Sequence, residues 1–263
     1  LIRLQADIVM SAGGFVSVPV VWAAWCLRIP VIIHQQDIKP GLANRLMSVW
    51  ASVITVTFEK SLQDYKQKAV WVGNPVRQEF IKASTTSTAK QQTLPMVLVL
   101  GGGTGSEAIN KLVFESLPEL TKQFFIIHIT GNKTLEKDFN YDNYQSYSFL
   151  QGDEMAQVMK EATLVITRAG LGTLTELSFL SKPTIIIPMP HSHQEDNANY
   201  FQEKNAALVV SQINCTSKLL SDMVTTIAND REGLRNLGHS IHTIIRPGAH
   251  KEIVTLIQGI LKK

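Results

Sequence analysis

Ala162-Thr163-Leu164-Val165-Ile166-Thr167-Arg168-Ala169-Gly170-Leu171-Gly172-Thr173-Leu174-Thr175-Glu176 is the stretch on which the reading of this chain turns. A short apolar run ends in a glycine-containing turn, and a helical pattern follows. The same order recurs on both sides. Asp7–Met10 leads into Ser11-Ala12-Gly13-Gly14, with a helix then carrying Val20 to Leu27. Pro30–Ile33 ends at His34-Gln35-Gln36-Asp37, and a helix follows Gly41. Ser52–Phe58 and Ala69–Val72 read as further strands. Met96–Leu100 runs into Gly101-Gly102-Gly103-Thr104-Gly105-Ser106 and a helix, and Phe124–Thr130 and Thr184–Pro188 complete the series. Strands alternating with helices predict parallel sheets covered by helices, here two doubly wound α/β domains.

The domain division follows from composition. Residues 81–93 are rich in Ser, Thr, Gln and Ala without an apolar period, which is a linker signature. The expected layout is a first domain over 1–80, a linker over 81–93 and a second domain over 94–248. The amphipathic helix over 249–263 could pack back on the first domain.

Bulk properties narrow the function. Of 263 residues, 44% are hydrophobic and 18% charged, ordinary for a chain with a full core. The net charge is only +3 and the basic residues are scattered, which argues against nucleic acid as a partner. Cys26 and Cys215 stand far apart with no CxxC motif, so they read as free thiols. No apolar run approaches the roughly 18 residues of a membrane-spanning helix. The start, Leu1-Ile2-Arg3-Leu4-Gln5, has neither Met nor a signal region and reads as the middle of a domain, so a truncated N-terminus is expected.

In doubly wound sheets ligands bind at the carboxyl ends of strands. Gly101–Ser106 offers backbone N–H groups and a helix start to an anion, or is only a tight turn. It has neither a Walker Gly-Lys-Ser/Thr nor dinucleotide spacing. Thr167–Glu176 offers a similar cradle with hydroxyls. Glu176 suits two ribose hydroxyls, the alternative being a helix-start carboxylate. Pro188–Asn197 is a run of amides, histidines and carboxylates of the kind that binds hydroxyl-rich ligands. His191 and His193 have no third ligand nearby, which leaves a metal reading weakly supported, and a solvated loop is the remaining alternative. Gly13-Gly14-Phe15 and His34–Asp37 form a further pair of strand ends, or ordinary turns.

Thr167–Glu176 followed by His193-Gln194-Glu195-Asp196-Asn197-Ala198 resembles the donor signature of MurG-type glycosyltransferases. Gly13-Gly14-Phe15-Val16-Ser17, Ile29–Gln36, Val72-Gly73-Asn74-Pro75-Val76-Arg77 and Leu100–Asn110 agree with that family in order, over nearly the whole chain. The resemblance implies a GT-B fold of two Rossmann-like domains, the first incomplete. It implies inverting transfer of N-acetylglucosamine from UDP-N-acetylglucosamine to the 4-hydroxyl of the undecaprenyl-linked acceptor lipid I, giving lipid II. No metal or other cofactor is implied. The place implied is the cytoplasmic face of the bacterial plasma membrane, in peripheral contact.

Residue roles carry over by position. Glu176 matches the ribose-binding carboxylate, and Leu171, Gly172 and Thr173 the backbone facing the diphosphate. Gln194 and Asn197 match amides at the sugar or its surroundings, Arg77 an arginine near the nucleotide, and Leu150 a residue whose backbone reads uracil. Gly103 and Thr104 match the loop over the donor. Gly13, Gly14, Phe15, His34 and Asp37 fall on the acceptor side. Trp22, Trp25 and Leu27 near Arg28 make either a membrane patch or a helix–sheet contact.

Three positions depart from the family pattern: Val20-Val21 for Gly-Gly, His34-Gln35-Gln36-Asp37 for His-Glu-Gln-Asn, and Gly103 for a frequent serine. The family's Gly-Gly-Thr-Gly-Gly-His loop, whose histidine is a proposed base, would precede Leu1, so roughly a third of the first domain is expected to be missing and the catalytic base is unassigned. The alternative reading is a donor-binding subunit or an inactive fragment of a related lipid-linked sugar transferase.

Overall fold

The computed structural model describes residues 1–86, 93–102, 105–131 and 140–262. It divides into two units, Leu1–Pro75 with Ile245–Lys263, and Val76–Ile244.

In the first unit, β1 (Val9–Ser11), α1 (Ser17–Cys26), β2 (Val31–Gln35), α2 (Leu42–Ser48), β3 (Val53–Val56) and β4 (Ala69–Trp71) follow in order. The four strands lie side by side in sequence order, all parallel. Every residue of β2 is buried, as befits a strand covered on both faces. Val31, Ile33, Ile54 and Val56 meet Val21, Ala24, Ala43 and Met47 from α1 and α2.

The second unit holds a six-stranded parallel sheet. Helix α3 (Gln78–Thr85) precedes β5 (Met96–Leu100), α4 (Glu107–Leu120), β6 (Phe125–Ile129) and β7 (Tyr144–Tyr147). After them come α5 (Gly152–Glu161), β8 (Leu164–Thr167), α6 (Leu171–Phe179), β9 (Thr184–Ile186), α7 (His193–Glu203), β10 (Leu208–Val209), α8 (Ser217–Asn229) and α9 (Arg231–Ile244). The spatial order is β10-β9-β8-β5-β6-β7. Read from β7, that is the doubly wound order 3-2-1-4-5-6. The chain direction across the sheet reverses between β5 and β8, so the loops that leave those two strands flank the switch point.

The core of this unit joins Val97, Val99, Ile166 and Ile185 of the sheet to Ile109, Val113, Leu117 and Leu120 of α4. Each such fully buried side chain contributes about 1.5–3 kcal/mol. Ser106 starts α4 by accepting from the Ile109 N–H at 3.4 Å.

The last helix, α10 (Ala249–Leu261), belongs to the first unit and packs Ala249 and Ile253 on Val72. Its approach is fixed at Gly73, whose φ is +83° and where a Cβ would overlap the Arg246 carbonyl. Arg246 Nη1 donates to the Trp71 carbonyl at 2.8 Å, and Nη2 pairs with Glu252 at 2.5 Å.

Several expectations are adjusted. The division falls after Pro75, and residues 81–85, expected as linker, form the second half of α3. That helix buries Phe80 and Ala83, and two apolar residues at helical spacing are enough to dock it. The rest of the expected linker, 87–92, lies outside the described residues, as do Gly103 and Thr104. Strands β7 and β10 were not expected. The first is polar and mostly exposed, and the second has two residues.

Candidate active site

At the switch point, the turn after β5 is held from behind. Gly105 adopts φ +77°, and a Cβ there would overlap the Thr130 carbonyl, so the turn lies directly on the end of β6. That carbonyl also accepts from Asn110 Nδ2 at 2.9 Å. Asn110 Oδ1 meets His128 Nε2 at 3.1 Å, and His128 Nδ1 meets the Tyr144 hydroxyl at 3.2 Å. With Nε2 protonated and Nδ1 accepting, every group in this chain is satisfied. His128 is fully buried, and burial pulls its pKa down to about 3.

The turn after β8 leads into α6. Gly170 is the N-cap residue, Leu171 is buried, a side chain at Gly172 would meet open space, and no side chain caps the helix start. Glu176 is the sixth residue of this helix, beyond its first turn, so the helix-start reading fails. Its carboxylate is instead 9% exposed and accepts from Arg77 Nε at 2.6 Å. Burial raises the Glu176 pKa above the ordinary range, and Arg77 pulls the other way. The Arg77 side chain is half exposed and its guanidinium lies 4.8 Å from the centre of the Phe80 ring. Two residues expected at the nucleotide are thus brought together across 99 positions of sequence.

Leu150 is buried just before Gln151, the N-cap of α5. Gln194 is half-buried, and its Oε1 accepts from the Met189 N–H at 3.1 Å, which leaves its amide nitrogen for a ligand. Asn197 is different. It is fully buried and donates from Nδ2 to the Ala169 carbonyl at 3.2 Å, so it shapes the turn after β8. Glu195 accepts from the His191 N–H at 3.1 Å and closes the turn before α7. Among the described residues no three His, Cys, Asp or Glu side chains are grouped as a metal site.

Arg168 lies in the donor stretch of the sequence without an individual role there, and the structure gives it one. It is 7% exposed. Its Nη1 donates to the Ile187 and Pro188 carbonyls, both at 2.9 Å, and its Nη2 to Ser106 Oγ at 2.7 Å and Gln212 Oε1 at 2.5 Å. An arginine immediately after a buried strand was the available signal.

In the first unit, Gly13 and Gly14 form the turn after β1, with φ +111° and +87°. The Gly13 N–H donates to Ser11 Oγ at 3.1 Å. Beside this turn, Asn44 donates to Gln35 Oε1 at 2.6 Å, and its own Oδ1 is buried without a partner. His34 is the fourth residue of β2. It is 2% exposed, with Nδ1 at 2.9 Å from Thr55 Oγ1 and Nε2 at 2.8 Å from Asn74 Oδ1. Burial lowers its pKa, the Asn74 bond opposing. It ties β2 to β3 and to Asn74. Phe15, Val16, Trp22 and Trp25 are 68%, 85%, 52% and 54% exposed, so the tryptophans are not sheet-packing residues.

Comparison with known proteins gives the family. Residues 96–244 match the glycosyltransferase family 28 C-terminal domain, and residues 1–56 match the N-terminal domain of that family. A protein of Clostridium kluyveri is 38% identical over 251 residues, covering 92% of this chain and 68% of its own length. Its name is UDP-N-acetylglucosamine–N-acetylmuramyl-(pentapeptide) pyrophosphoryl-undecaprenol N-acetylglucosamine transferase. A protein of the same name from Gloeothece citriformis is 33% identical over 261 residues, covering 97% of this chain and 72% of its own. The crystal structure of Acinetobacter baumannii MurG is 26% identical with a TM-score of 0.76, covering 98% of this chain and 74% of that one.

The chain belongs to the MurG-type glycosyltransferases of family 28.

As a member it is a hexosyltransferase with the GT-B pair of parallel-sheet α/β domains. A UDP-N-acetylglucosamine 2-epimerase from Neisseria meningitidis, 14% identical with a TM-score of 0.72, covers 98% of this chain and 78% of its own and shares the fold alone. Family 28 membership gives the switch-point loops of the second unit a setting in which their geometry has a use.

Proposed function

We propose that the chain transfers N-acetylglucosamine from UDP-N-acetylglucosamine to the 4-hydroxyl of lipid I, with inversion at C1, giving lipid II. The acceptor oxygen bonds to C1 as the bond from C1 to the diphosphate oxygen breaks. The hydroxyl proton passes to a base, and UDP leaves.

The observation that carries this reading is the buried Glu176 carboxylate beside the open start of α6. A carboxylate that accepts two ribose hydroxyls next to free helix N–H groups that receive a diphosphate is a nucleoside-diphosphate site. Leu171, Gly172 and Thr173, with Gly103 and Thr104 outside the described residues, face the diphosphate, and their donors stabilise the charge that builds on the leaving group. Arg77 moves from Glu176 toward the nucleotide, the Leu150 backbone reads uracil, and Gln194 meets the sugar. In this reading residues 76–244 are the donor domain. Gly13, Gly14, Phe15 and Asp37 serve the acceptor in the other one.

No helix among the described residues is long and apolar enough to cross a membrane. Phe15, Val16, Trp22 and Trp25 with Arg28 form an exposed apolar and basic surface suited to peripheral contact with a bilayer carrying the acceptor, on the cytoplasmic face of the bacterial plasma membrane.

The test is transfer of labelled N-acetylglucosamine from its UDP ester to a lipid-linked N-acetylmuramoyl-pentapeptide acceptor, alongside calorimetric titration with UDP. UDP binding with a product of one added hexosamine supports the assignment. Absence of UDP binding would remove it.

A further inference from the structure

Arg168 is a buried cation whose four hydrogen-bond acceptors are all neutral: two carbonyls, a hydroxyl and an amide oxygen. Among the described residues no carboxylate is paired with it. Burying a charge is costly unless an opposite charge accompanies it. Burial also makes its ionised state less favourable, and no neighbouring anion offsets this.

The position is as telling as the missing counter-ion. The Arg168 backbone opens the turn into α6, and its guanidinium reaches Ser106, which closes the glycine turn after β5 and starts α4. It also holds the two carbonyls that follow β9, where the Pro188–Asn197 loop departs. One planar fork therefore fixes the three loops that surround the switch point, a geometry Lys cannot reproduce.

We propose that Arg168 is a positioning residue whose missing counter-ion is the diphosphate of the donor. It sets the loops that contact the diphosphate and adds an unneutralised positive charge behind them. Its field acts on UDP before transfer and more strongly as the leaving group gains charge. This inference rests on the proposed donor site in the second unit.

The discriminating measurement compares UDP with uridine, which lacks the diphosphate. In Arg168→Met, UDP affinity falls by about tenfold or more, the size expected for one unit charge acting through a protein interior of moderate effective dielectric, and uridine affinity is retained. Arg168→Lys keeps part of the preference for UDP over uridine. Gln212→Glu leaves the arginine and its bonding geometry in place and supplies the absent carboxylate. It lowers the UDP preference without lowering the melting temperature, and so covers the case in which Arg168→Met does not fold. Equal losses of UDP and uridine in Arg168→Met, or an unchanged UDP preference in Gln212→Glu, would overturn the proposal and leave the donor site standing. A wild-type chain that binds no UDP would remove both.

Discussion

Arg77 Nε donates to Glu176 Oε1 across 2.6 Å, joining a half-exposed cation at the start of α3 to a buried carboxylate in α6. The pair is asymmetric. Arg77 can leave Glu176 for a ligand and remain hydrated, but Glu176 cannot leave its pocket. The carboxylate is thus held ionisable in place, and a ribose can replace the guanidinium as its partner.

Glu176→Gln separates binding from stability. Loss of the charged acceptor weakens UDP affinity by about 100-fold, since hydrogen bonds to a charged group contribute about 1.5–3 kcal/mol each. Glu195→Ala, which changes only a turn, leaves UDP affinity near wild type, and isothermal titration of both variants checks the contrast. Because burial raises the Glu176 pKa in the folded state, ionising this carboxylate at neutral pH costs more in the native chain than in the unfolded one. Glu176→Gln therefore melts no lower than wild type at neutral pH, and any excess in its melting temperature shrinks as pH falls toward the carboxylate range.

Arg77→Ala affects stability and binding together. The pair is exposed on its arginine side only, and removing the guanidinium takes a donor from a buried carboxylate, so the variant loses about 1–3 kcal/mol in urea unfolding. Its UDP affinity falls. A double-mutant cycle with Glu176→Gln, read by urea unfolding without ligand, gives a coupling of the same size. A coupling near zero would contradict the direct bond between the two side chains.

His128 makes stability depend on acid. Its pKa is about 3 when folded against an ordinary 6.5, so the native chain binds fewer protons than the unfolded chain within that window. Its contribution is complete above pH 6.5 and declines by about 1.4 kcal/mol per pH unit down to about pH 3. Urea unfolding of wild type and His128→Gln at pH 7 and pH 4.5 shows the difference, with a shallower decline in the variant.

Gly105→Ala tests the seating of the glycine turn. The residue has φ +77°, and its Cα faces the Thr130 carbonyl, so a methyl group requires the turn to lift off β6. A loss of about 1–3 kcal/mol is expected, typical of backbone strain of this kind, together with weaker UDP binding. Thermal unfolding and titration on the same sample report both.

Trp25→Ser with Phe15→Ser reduces binding to vesicles containing anionic lipid by about tenfold or more, given about 1.5–3 kcal/mol per apolar side chain withdrawn from water. Melting temperature stays at the wild-type value because both side chains are exposed. Vesicle co-sedimentation unchanged by the double substitution would remove the membrane role of this surface.

Much of the fold was legible because fully covered parallel strands have continuous apolar runs. Met96–Leu100 and Leu164–Thr167 are such runs, and all their residues are buried. The edge strands escaped notice for the same reason. Tyr144-Gln145-Ser146-Tyr147 has no apolar run because only its first residue is covered. Helix α3 was hidden by a Ser- and Thr-rich composition in which Phe80 and Ala83 alone dock it.

Sequence by itself determined where the strand-end loops lie, because glycine turns after apolar strands mark the carboxyl edge of a parallel sheet, and the family resemblance pointed to Glu176 and Arg77. Tertiary structure alone decided which polar side chains face inward. Asn197 turns to the Ala169 carbonyl, His34 to Thr55 and Asn74, and Arg168 to Ser106 and Gln212. The physical reason is that a buried polar group must find its partner wherever the fold supplies one, and those partners lie 21 to 62 residues away in the chain.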